Sequence, residues 1–182
     1  ANTVTAFFYQ WKADGVQIQN ASSSTFELTQ TEVGKAVTVV VSYADGHGNS
    51  ESVTSTASLT VGNVNDLPTG RVSISGEATQ GATLTASHNL QDPDGLGSVS
   101  YQWFADGAQI SGATNASFTL SQTEVGKSVS VSANYKDGFG NLESVTSTAT
   151  ALVLNVNDPP LGIATSATID EDLLLVGTLS GK

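Results

Sequence analysis

The sequence repeats itself at a fixed long spacing, and this period limits what the chain can fold into. Tyr-Gln-Trp at residues 9–11 returns at 101–103, and Glu-Ser-Val-Thr-Ser-Thr-Ala at 51–57 returns at 143–149, so the shift is 92 residues without a gap. Helical and propeller repeats run to roughly 20–50 residues, whereas a unit of about 90 residues suits a small independent domain. The chain is therefore predicted to be an array of modules.

A polar phrase that ends in proline marks the joins between these modules. It reads Asn-Val-Asn-Asp-Leu-Pro at residues 63–68 and Asn-Val-Asn-Asp-Pro-Pro at residues 155–160. Subtracting the period shows that the chain begins inside what would be the B–C loop of its first module. We predict three segments: a repeat lacking its first two strands at 1–64, a complete repeat at 65–157, and the opening strands of a further repeat at 158–182. We expect the last segment to complete the first, within one chain or between chains. The alternative is that the natural boundary of the modules differs from the one predicted here.

Alternating apolar and polar residues predict strands throughout the chain. Val129, Val131, Ala133 and Tyr135 alternate with polar neighbours, which is the period-2 pattern of a sheet with one buried face. Asp-Gly pairs follow several of these runs and are typical of hairpin turns. In the second repeat the pattern predicts seven strands and an immunoglobulin-like sandwich, with strands at 71–75, 82–87, 99–104, 109–110, 117–120, 128–135 and 145–153.

Several phrases together carry a resemblance to a known family. They are Tyr-Gln-Trp, Asp-Gly, Gly-Ala-Thr, Thr-Glu-Val-Gly-Lys and Asn-Val-Asn-Asp, in that order. This set resembles the Ig-like and cadherin-like tandem repeats of large bacterial surface adhesins, of the RTX and VCBS type, over nearly the whole chain. The resemblance implies an all-β fold of tandem Ig-like (cadherin-like) β-sandwich repeats. Trp11 and Trp103 are then expected in the cores, and Thr-Glu-Val-Gly-Lys in the corner turn before strand F. The alternative for the two tryptophans is a platform on which sugars stack.

The charge balance limits the partners of the chain. Six Lys and Arg residues stand against seventeen Asp and Glu residues, for a net charge of −11. Such a surface repels phosphate backbones and anionic lipid, so we expect neither nucleic acid binding nor membrane insertion. The chain has no Cys, and disulfides therefore cannot stabilise its small cores.

Acidic loops that are distant in sequence are predicted to converge. In an Ig-type sandwich the incoming linker, the B–C loop at 92–95 and the F–G loop at 137–141 meet at one end. Two carboxylates about 4 Å apart repel by about 1 kcal/mol in water and about 4 kcal/mol at an effective dielectric of 20. A bound Ca²⁺, which takes carboxylate, amide and backbone oxygens, reverses the sign of this effect.

The resemblance also implies a ligand set. Cadherins hold Ca²⁺ between domains with an Asp/Asn linker phrase, an Asp-x-Asp loop and an F–G aspartate, and Glu77 could take the role of their acidic residue near strand A. The cadherin-style Asp-Arg-Glu phrase is absent and the linker is short, so a full three-ion cluster is not expected. The alternative interpretation is that the Asp-Gly pairs only form turns and that Asn-Asp-Pro only ends strands. The candidate metal ligands are Asn63, Asn65, Asp66, Glu77, Asp92, Asp94 and Asp137.

The expected function is structural. The family resemblance implies an extracellular spacer (extender) module of a bacterial cell-surface adhesin, stiffened by Ca²⁺ and serving cell adhesion. The alternative is a carbohydrate- or protein-binding module of a secreted polysaccharide-active protein, for which Phe139 is the clear loop aromatic. Catalysis is not expected, because His47 and His88 are the only histidines and no Cys exists.

Overall fold

The computed structural model describes residues 6–159, and these residues form an all-β structure whose sheets are antiparallel. No helix in this range is long and apolar enough to cross a membrane. The all-β prediction is confirmed, whereas most of the segment predicted at 158–182 lies outside the described residues. The strands are β1 Phe8–Ala13, β2 Val16–Gln17, β3 Val37–Ala44, β4 Ser50–Thr54, β5 Val72–Ser75, β6 Thr83–His88, β7 Ser100–Ala105, β8 Ala108–Gln109, β9 Ser117–Thr119, β10 Val129–Lys136 and β11 Leu142–Thr146.

The second module forms a sandwich of two sheets. A four-stranded sheet in the order β11-β10-β7-β8 packs on a three-stranded sheet in the order β5-β6-β9. Alternate residues of each strand point into the space between the sheets. The largest fully buried side chains come from both sheets and from the end of β9, namely Trp103, Leu84, Leu120, Val129 and Val131. The predicted core position of Trp103 is confirmed.

Most predicted strands of this module match the observed ones to within a few residues, but the last strand does not. It was predicted at 145–153, whereas β11 spans Leu142–Thr146. It begins earlier because the tight turn at 137–141 lets Lys136 pair directly with Leu142. It ends earlier because the hydroxyls of Ser147 and Thr150 accept hydrogen bonds from the backbone N–H groups of Val131 and Val129, which interrupts the regular ladder.

The first module, described from residue 6 to residue 62, forms a single four-stranded sheet. Its order β2-β1-β3-β4 matches β8-β7-β10-β11, and Trp11 pairs with Val39 as Trp103 pairs with Val131. The indole N–H of Trp11 donates to the carbonyl of Ser23 at 2.9 Å, as that of Trp103 does to Asn115. Trp11 is only partly buried. The predicted limits of the modules stay a prediction.

The Thr-Glu-Val-Gly-Lys phrase forms the predicted corner turn. A short 3₁₀ turn at Gln122–Glu124 is capped by Ser121, whose N–H and hydroxyl both donate to the buried carboxylate of Glu124 at 2.8 and 2.7 Å. The same capping box occurs at Gln30–Glu32 with Thr29 as the cap. Each reciprocal cap satisfies backbone donors that the turn would otherwise leave unpaired.

Candidate functional site

Three segments meet at the end of the second module where the linker arrives. The start of β5 pairs with the end of β6, because Val72 lies opposite His88, so the linker and the loop after β6 share this end. The start of β7 lies beside the end of β10, where Ser100 pairs with Asn134. We call this end the linker pole: it consists of the linker at 63–70, the B–C loop at 89–99 and the F–G loop at 137–141.

Asp94 connects all three segments of the linker pole. Its side chain is 3% exposed, and its Oδ2 accepts a hydrogen bond from the backbone N–H of Asp66 in the linker at 2.7 Å. Its own N–H donates to Asp92 Oδ1 at 2.8 Å. Its carbonyl oxygen accepts from the N–H of Gly138 in the F–G loop at 2.9 Å. Asp94 therefore fixes the linker to both loops.

Glycine makes this close approach of the two loops possible. A Cβ atom at Gly138 would lie 2.5 Å from the carbonyl oxygen of Asp94, which is well inside van der Waals contact. A Cβ at Gly97 would collide with the carbonyl oxygen of Lys136 at the end of β10. The B–C loop therefore lies against the F–G hairpin at a distance that only glycine permits.

Asp92 is held by the end of β10. The phenol of Tyr135 donates to Asp92 Oδ2 at 2.6 Å, and Tyr135 is 4% exposed. Burial, the hydrogen bond to Asp92, and the negative charges of Asp92, Glu143 and Asp137 all raise the pKa of the Tyr135 phenol. The phenol thus stays protonated and remains a donor near neutral pH.

Glu143 on β11 borders the linker pole and was not among the predicted ligands. Its Oε1 accepts from the side-chain amide of Asn65 at 2.8 Å, across 78 positions of sequence, and its side chain is 8% exposed. Glu143 lies opposite Tyr135 in the β10–β11 pair. Residues paired across two strands lie on the same face of the sheet, so the partner of the inward-facing Tyr135 could have been predicted to lie on the buried face. That prediction would have required the correct limits of β11.

Asp137 serves the F–G turn itself. Its Oδ1 accepts from the N–H groups of Phe139 and Asn141 at 2.9 and 2.8 Å, and its Oδ2 accepts from the Asn141 amide at 2.8 Å. Burial raises the pKa of Asp137, but the hydrogen bonds from Asn141 and Phe139 outweigh it and hold the pKa below its ordinary value. Donors within the turn thus satisfy both carboxylate oxygens of Asp137, which agrees with the interpretation that its Asp-Gly pair only forms a turn.

Two oxygens at the linker pole lack a hydrogen-bond donor. Asn63 Oδ1 and Asp94 Oδ1 are buried and unpaired, and leaving a buried polar atom unpaired costs about 1–3 kcal/mol. Amide and carboxylate oxygens are ligand types that Ca²⁺ prefers. These two atoms therefore fit a hard cation by their chemistry.

The predicted ligands are not gathered into a complete cage. Glu77 is exposed and follows β5, at the opposite end of that strand from the linker. Among residues 6–159, no three His, Cys, Asp or Glu side chains lie close enough together to hold a metal ion. The structure brings Asp66, Asp92 and Asp94 into one hydrogen-bonded chain, while the oxygens of Asp137 face its own turn.

The second copy of the linker phrase is also fixed, at what we call the exit pole, the end formed by residues 76–82 and 153–158. The side-chain amide of Gln80 donates to Asp158 Oδ2 at 3.0 Å, and its Oε1 accepts from the N–H of Val156 at 3.1 Å. The backbone N–H of Gln80 also donates to the carbonyl of Leu154 at 2.9 Å. Both linkers are therefore held by the second module, at opposite ends.

Comparison with known proteins gives a similarity to a relative but does not assign the chain to a family. No protein-family model matches the chain. The chain is similar to the highly immunogenic outer capsid protein of Enterobacteria phage T4, with 28% identity over 156 residues that cover 81% of this chain. The chain spans 40% of the length of that relative.

Proposed function

We propose that the chain is a spacer (extender) module of a long surface-displayed protein, with a joint at the linker pole that Ca²⁺ stiffens. One observation carries the proposal. The linker is bonded through Asp66 to the buried carboxylate of Asp94, and that carboxylate keeps a second buried oxygen without a donor. A joint of this kind transmits orientation from one module to the next, and no catalytic step belongs to its function.

Two hydrogen bonds, one from the B–C loop and one from β11, support the mechanical part of the proposal. Asp94 in the B–C loop accepts from the linker backbone, and Glu143 on β11 accepts from the Asn65 side chain. Two anchors on adjacent linker residues restrict rotation about the linker more than one anchor would. Hydrogen bonds to charged groups contribute about 1.5–3 kcal/mol each, so each anchor resists thermal motion.

The Ca²⁺ part of the proposal is supported by the electrostatics of the linker pole. Asp92, Asp94, Asp137 and Glu143 share one end of the sandwich, and their donors described above are neutral amides, a phenol and backbone N–H groups. Asn63 and Asp94 would hold the ion through their unpaired oxygens, with Asp66 and Asp92 next to them in the hydrogen-bonded chain. A bound ion supplies positive charge that offsets the repulsion among these carboxylates.

The setting that we propose is an external surface. The family resemblance favours a bacterial cell-surface adhesin with a role in cell adhesion, in which the array holds a distal binding domain away from the cell. The similarity to an outer capsid protein supports a place on the outside of a cell or particle. Extracellular Ca²⁺ modules have Kd values of about 0.1–1 mM, and such a joint would be loaded in calcium-rich water outside cells.

Thermal unfolding with millimolar Ca²⁺ and then with a chelator tests the metal part. With about 10 mM Ca²⁺, roughly a ten- to hundredfold excess over such Kd values, binding to the folded state alone adds about 1.4–2.7 kcal/mol, so the midpoint should rise by several degrees. Asp94→Asn should abolish this rise. Glu77→Gln is the control that should keep it, because Glu77 is exposed and lies away from the linker pole. Superimposable curves for the unsubstituted chain would refute the Ca²⁺ joint.

A binding module for carbohydrate or protein is the second candidate function. Phe139, at the tip of the F–G loop, is 53% exposed, and an exposed aromatic ring can stack on a sugar or insert into a partner surface. Its counterpart in the first module is His47, so the aromatic residue is not repeated. Glycan-array binding that disappears in Phe139→Ala would favour this function over the spacer.

A further inference from the structure

We propose that the exit pole contains a tension clamp, which sets the rate at which the second module unfolds when its two linkers are pulled apart. The clamp consists of residues 78–80, which follow β5, and residues 154–158, which follow β11. The inference rests on the proposed spacer function, because a module between two loaded linkers has to bear tension. It adds to that function the contacts that resist the load.

Four hydrogen bonds join the two segments of the tension clamp. The backbone N–H of Leu154 donates to the carbonyl of Ala78 at 2.8 Å, and the backbone N–H of Gln80 donates to the carbonyl of Leu154 at 2.9 Å. The side chain of Gln80 adds two more, since its Oε1 accepts from the N–H of Val156 at 3.1 Å and its Nε2 donates to Asp158 Oδ2 at 3.0 Å. Gln80 therefore takes part in three of the four bonds.

The two segments run in the same direction. β5 begins at the linker pole, because Val72 lies opposite the last residue of β6, and the chain after β5 reaches the exit pole. β11 begins directly after the F–G loop, beside the linker pole, and the chain after it also reaches the exit pole. The pairing of Thr79 with Leu154 is accordingly parallel. One segment therefore follows the first linker along the module, and the other leads into the second linker.

This parallel arrangement determines how tension acts on the four bonds. A pull on the first linker draws residues 78–80 toward the linker pole, whereas a pull on the second linker draws residues 154–158 away from it. The two segments are then forced to slide past each other along their length, so the bonds share the load and have to break together. Bonds that are peeled from one end break one at a time instead. The shared load raises the barrier that governs the rate of forced unfolding.

The second segment of the tension clamp is fixed to the core by the residue before it. Val153 is 2% exposed and belongs to the buried cluster that contains Trp103. Its N–H donates to the carbonyl of Lys127, and its carbonyl accepts from the N–H of Gly126, both at 2.9 Å. Residues 154–158 lie between Val153 and the rest of the second linker. A pull on that linker therefore acts on the clamp before it reaches the core.

Single-molecule force spectroscopy of the full chain tests the tension clamp. The chain has no Cys, so thiols introduced by Leu67→Cys and Pro159→Cys at two exposed positions, one period apart, accept DNA handles. Pulling on this pair makes the two segments slide past each other. Pulling on Thr83→Cys and Pro159→Cys, which follow the two segments in the chain, peels the bonds apart one by one. We expect the first pair to require the higher unfolding force at the same loading rate.

Gln80→Glu tests the residue that makes most of the bonds. Glutamate keeps an acceptor for the N–H of Val156 but replaces the donor to Asp158 with a second carboxylate. Because a hydrogen bond to a charged group is lost, the unfolding rate at constant force between positions 67 and 159 should rise at least about tenfold. Gln122→Glu is the matched control, since it adds the same charge at an exposed site outside the clamp, and it should leave the rate within about twofold.

All pulling measurements are made with a chelator present, so that they do not depend on Ca²⁺ at the linker pole. Equal unfolding forces in the two pulling directions would overturn the tension clamp, as would a Gln80→Glu chain that unfolds no faster than Gln122→Glu. Equal acceleration by Gln80→Glu in both directions would also overturn it, because that result indicates a general loss of stability. The absence of a Ca²⁺ effect on thermal unfolding would refute the Ca²⁺ joint alone, so the two proposals fail separately.

Discussion

Tyr135 is the residue on which the position of Asp92 depends. Its phenol donates to Asp92 Oδ2 at 2.6 Å from a site that is 4% exposed. Tyr135→Phe keeps the ring but removes this donor to a charged acceptor, and it should lower the free energy of unfolding by about 1.5–3 kcal/mol. Urea denaturation followed by tryptophan fluorescence measures the change.

The control for this substitution is Tyr43→Phe. Tyr43 stands one period before Tyr135 and packs its ring edge-on against Phe7 at 5.8 Å, a contact that phenylalanine keeps. Its substitution should change the free energy of unfolding by no more than about 0.5 kcal/mol. Equal losses in the two variants would contradict the role assigned to the Tyr135 phenol.

The hydrogen bonds of Asp137 predict an acid-sensitive loop. Its pKa in the folded chain lies below the ordinary value of 3.8, so its contribution to stability is fully present well above pH 3.8. That contribution is lost as the pH falls through the folded pKa. The thermal midpoint of the unsubstituted chain should fall steeply below about pH 4.

Asp137→Asn distinguishes the contribution of Asp137 to the acid sensitivity from that of the other carboxylates. The variant should unfold at a lower temperature at pH 7 and lose less stability on acidification, because its side chain no longer titrates. Glu77→Gln, at an exposed site, should retain the acid profile of the unsubstituted chain. An Asp137→Asn profile parallel to that of the unsubstituted chain would contradict the argument.

At the scale of elements, the packing of the B–C loop on the F–G hairpin depends on Gly138. A Cβ there would lie 2.5 Å from the Asp94 carbonyl oxygen, which now accepts the Gly138 N–H at 2.9 Å. Gly138→Ala should push the loops apart at a cost of about 1–3 kcal/mol and release Asp94 from the linker. Gly62→Ala, where a Cβ would meet no atom within 4 Å, should change the free energy of unfolding little.

Two-dimensional NMR spectra show which strands and loops the Gly138→Ala substitution affects. The amide signal of Asp66 should shift, because the acceptor of its hydrogen bond moves, while the β5–β6 signals should stay in place. A Gly138→Ala chain with an unshifted Asp66 amide and undiminished stability would show that the two loops pack independently.

Local patterns predicted most of the strands, and interactions between distant residues explain the rest. Alternation fixes which face of β10 is buried, and the Asp-Gly turns fix where its hairpin reverses. The end of β11 could not be predicted this way, because the hydroxyls of Ser147 and Thr150 replace its ladder bonds. A serine or threonine does not reveal in the sequence whether its hydroxyl will bond to a neighbouring strand.

The candidate site was predictable to a similar degree. The meeting of linker, B–C loop and F–G loop follows from the order of strands in a sandwich, and this placed Asp66, Asp92 and Asp94 at the linker pole. The same topology argues against Glu77, because β5 separates it from that pole. Glu143 was missed because its partner Asn65 lies 78 positions away, and no local pattern joins an exposed linker to a strand of the following module.

At the scale of the whole molecule, the proposed joint predicts that the linker anchors limit how the two modules move relative to each other. Glu143→Ala removes the acceptor of the Asn65 amide at 2.8 Å and leaves the Asp94 anchor in place. The modules should then reorient over a wider range. Residual dipolar couplings should become smaller and less consistent with one common alignment, and small-angle scattering should give a broader distribution of dimensions.

Glu51→Ala is the matched control for the anchor. Glu51 stands one period before Glu143 at an exposed position of β4, so its loss removes the same charge from the chain without touching the linker. It should leave the intermodule couplings unchanged. If both variants widened the range of module orientations equally, the cause would be the change in net charge. The chain carries −11, so long-range repulsion would be the cause common to both variants. A loss of alignment in Glu143→Ala alone would assign the orientation of the modules to the Asn65–Glu143 contact, because that contact is what distinguishes the two sites.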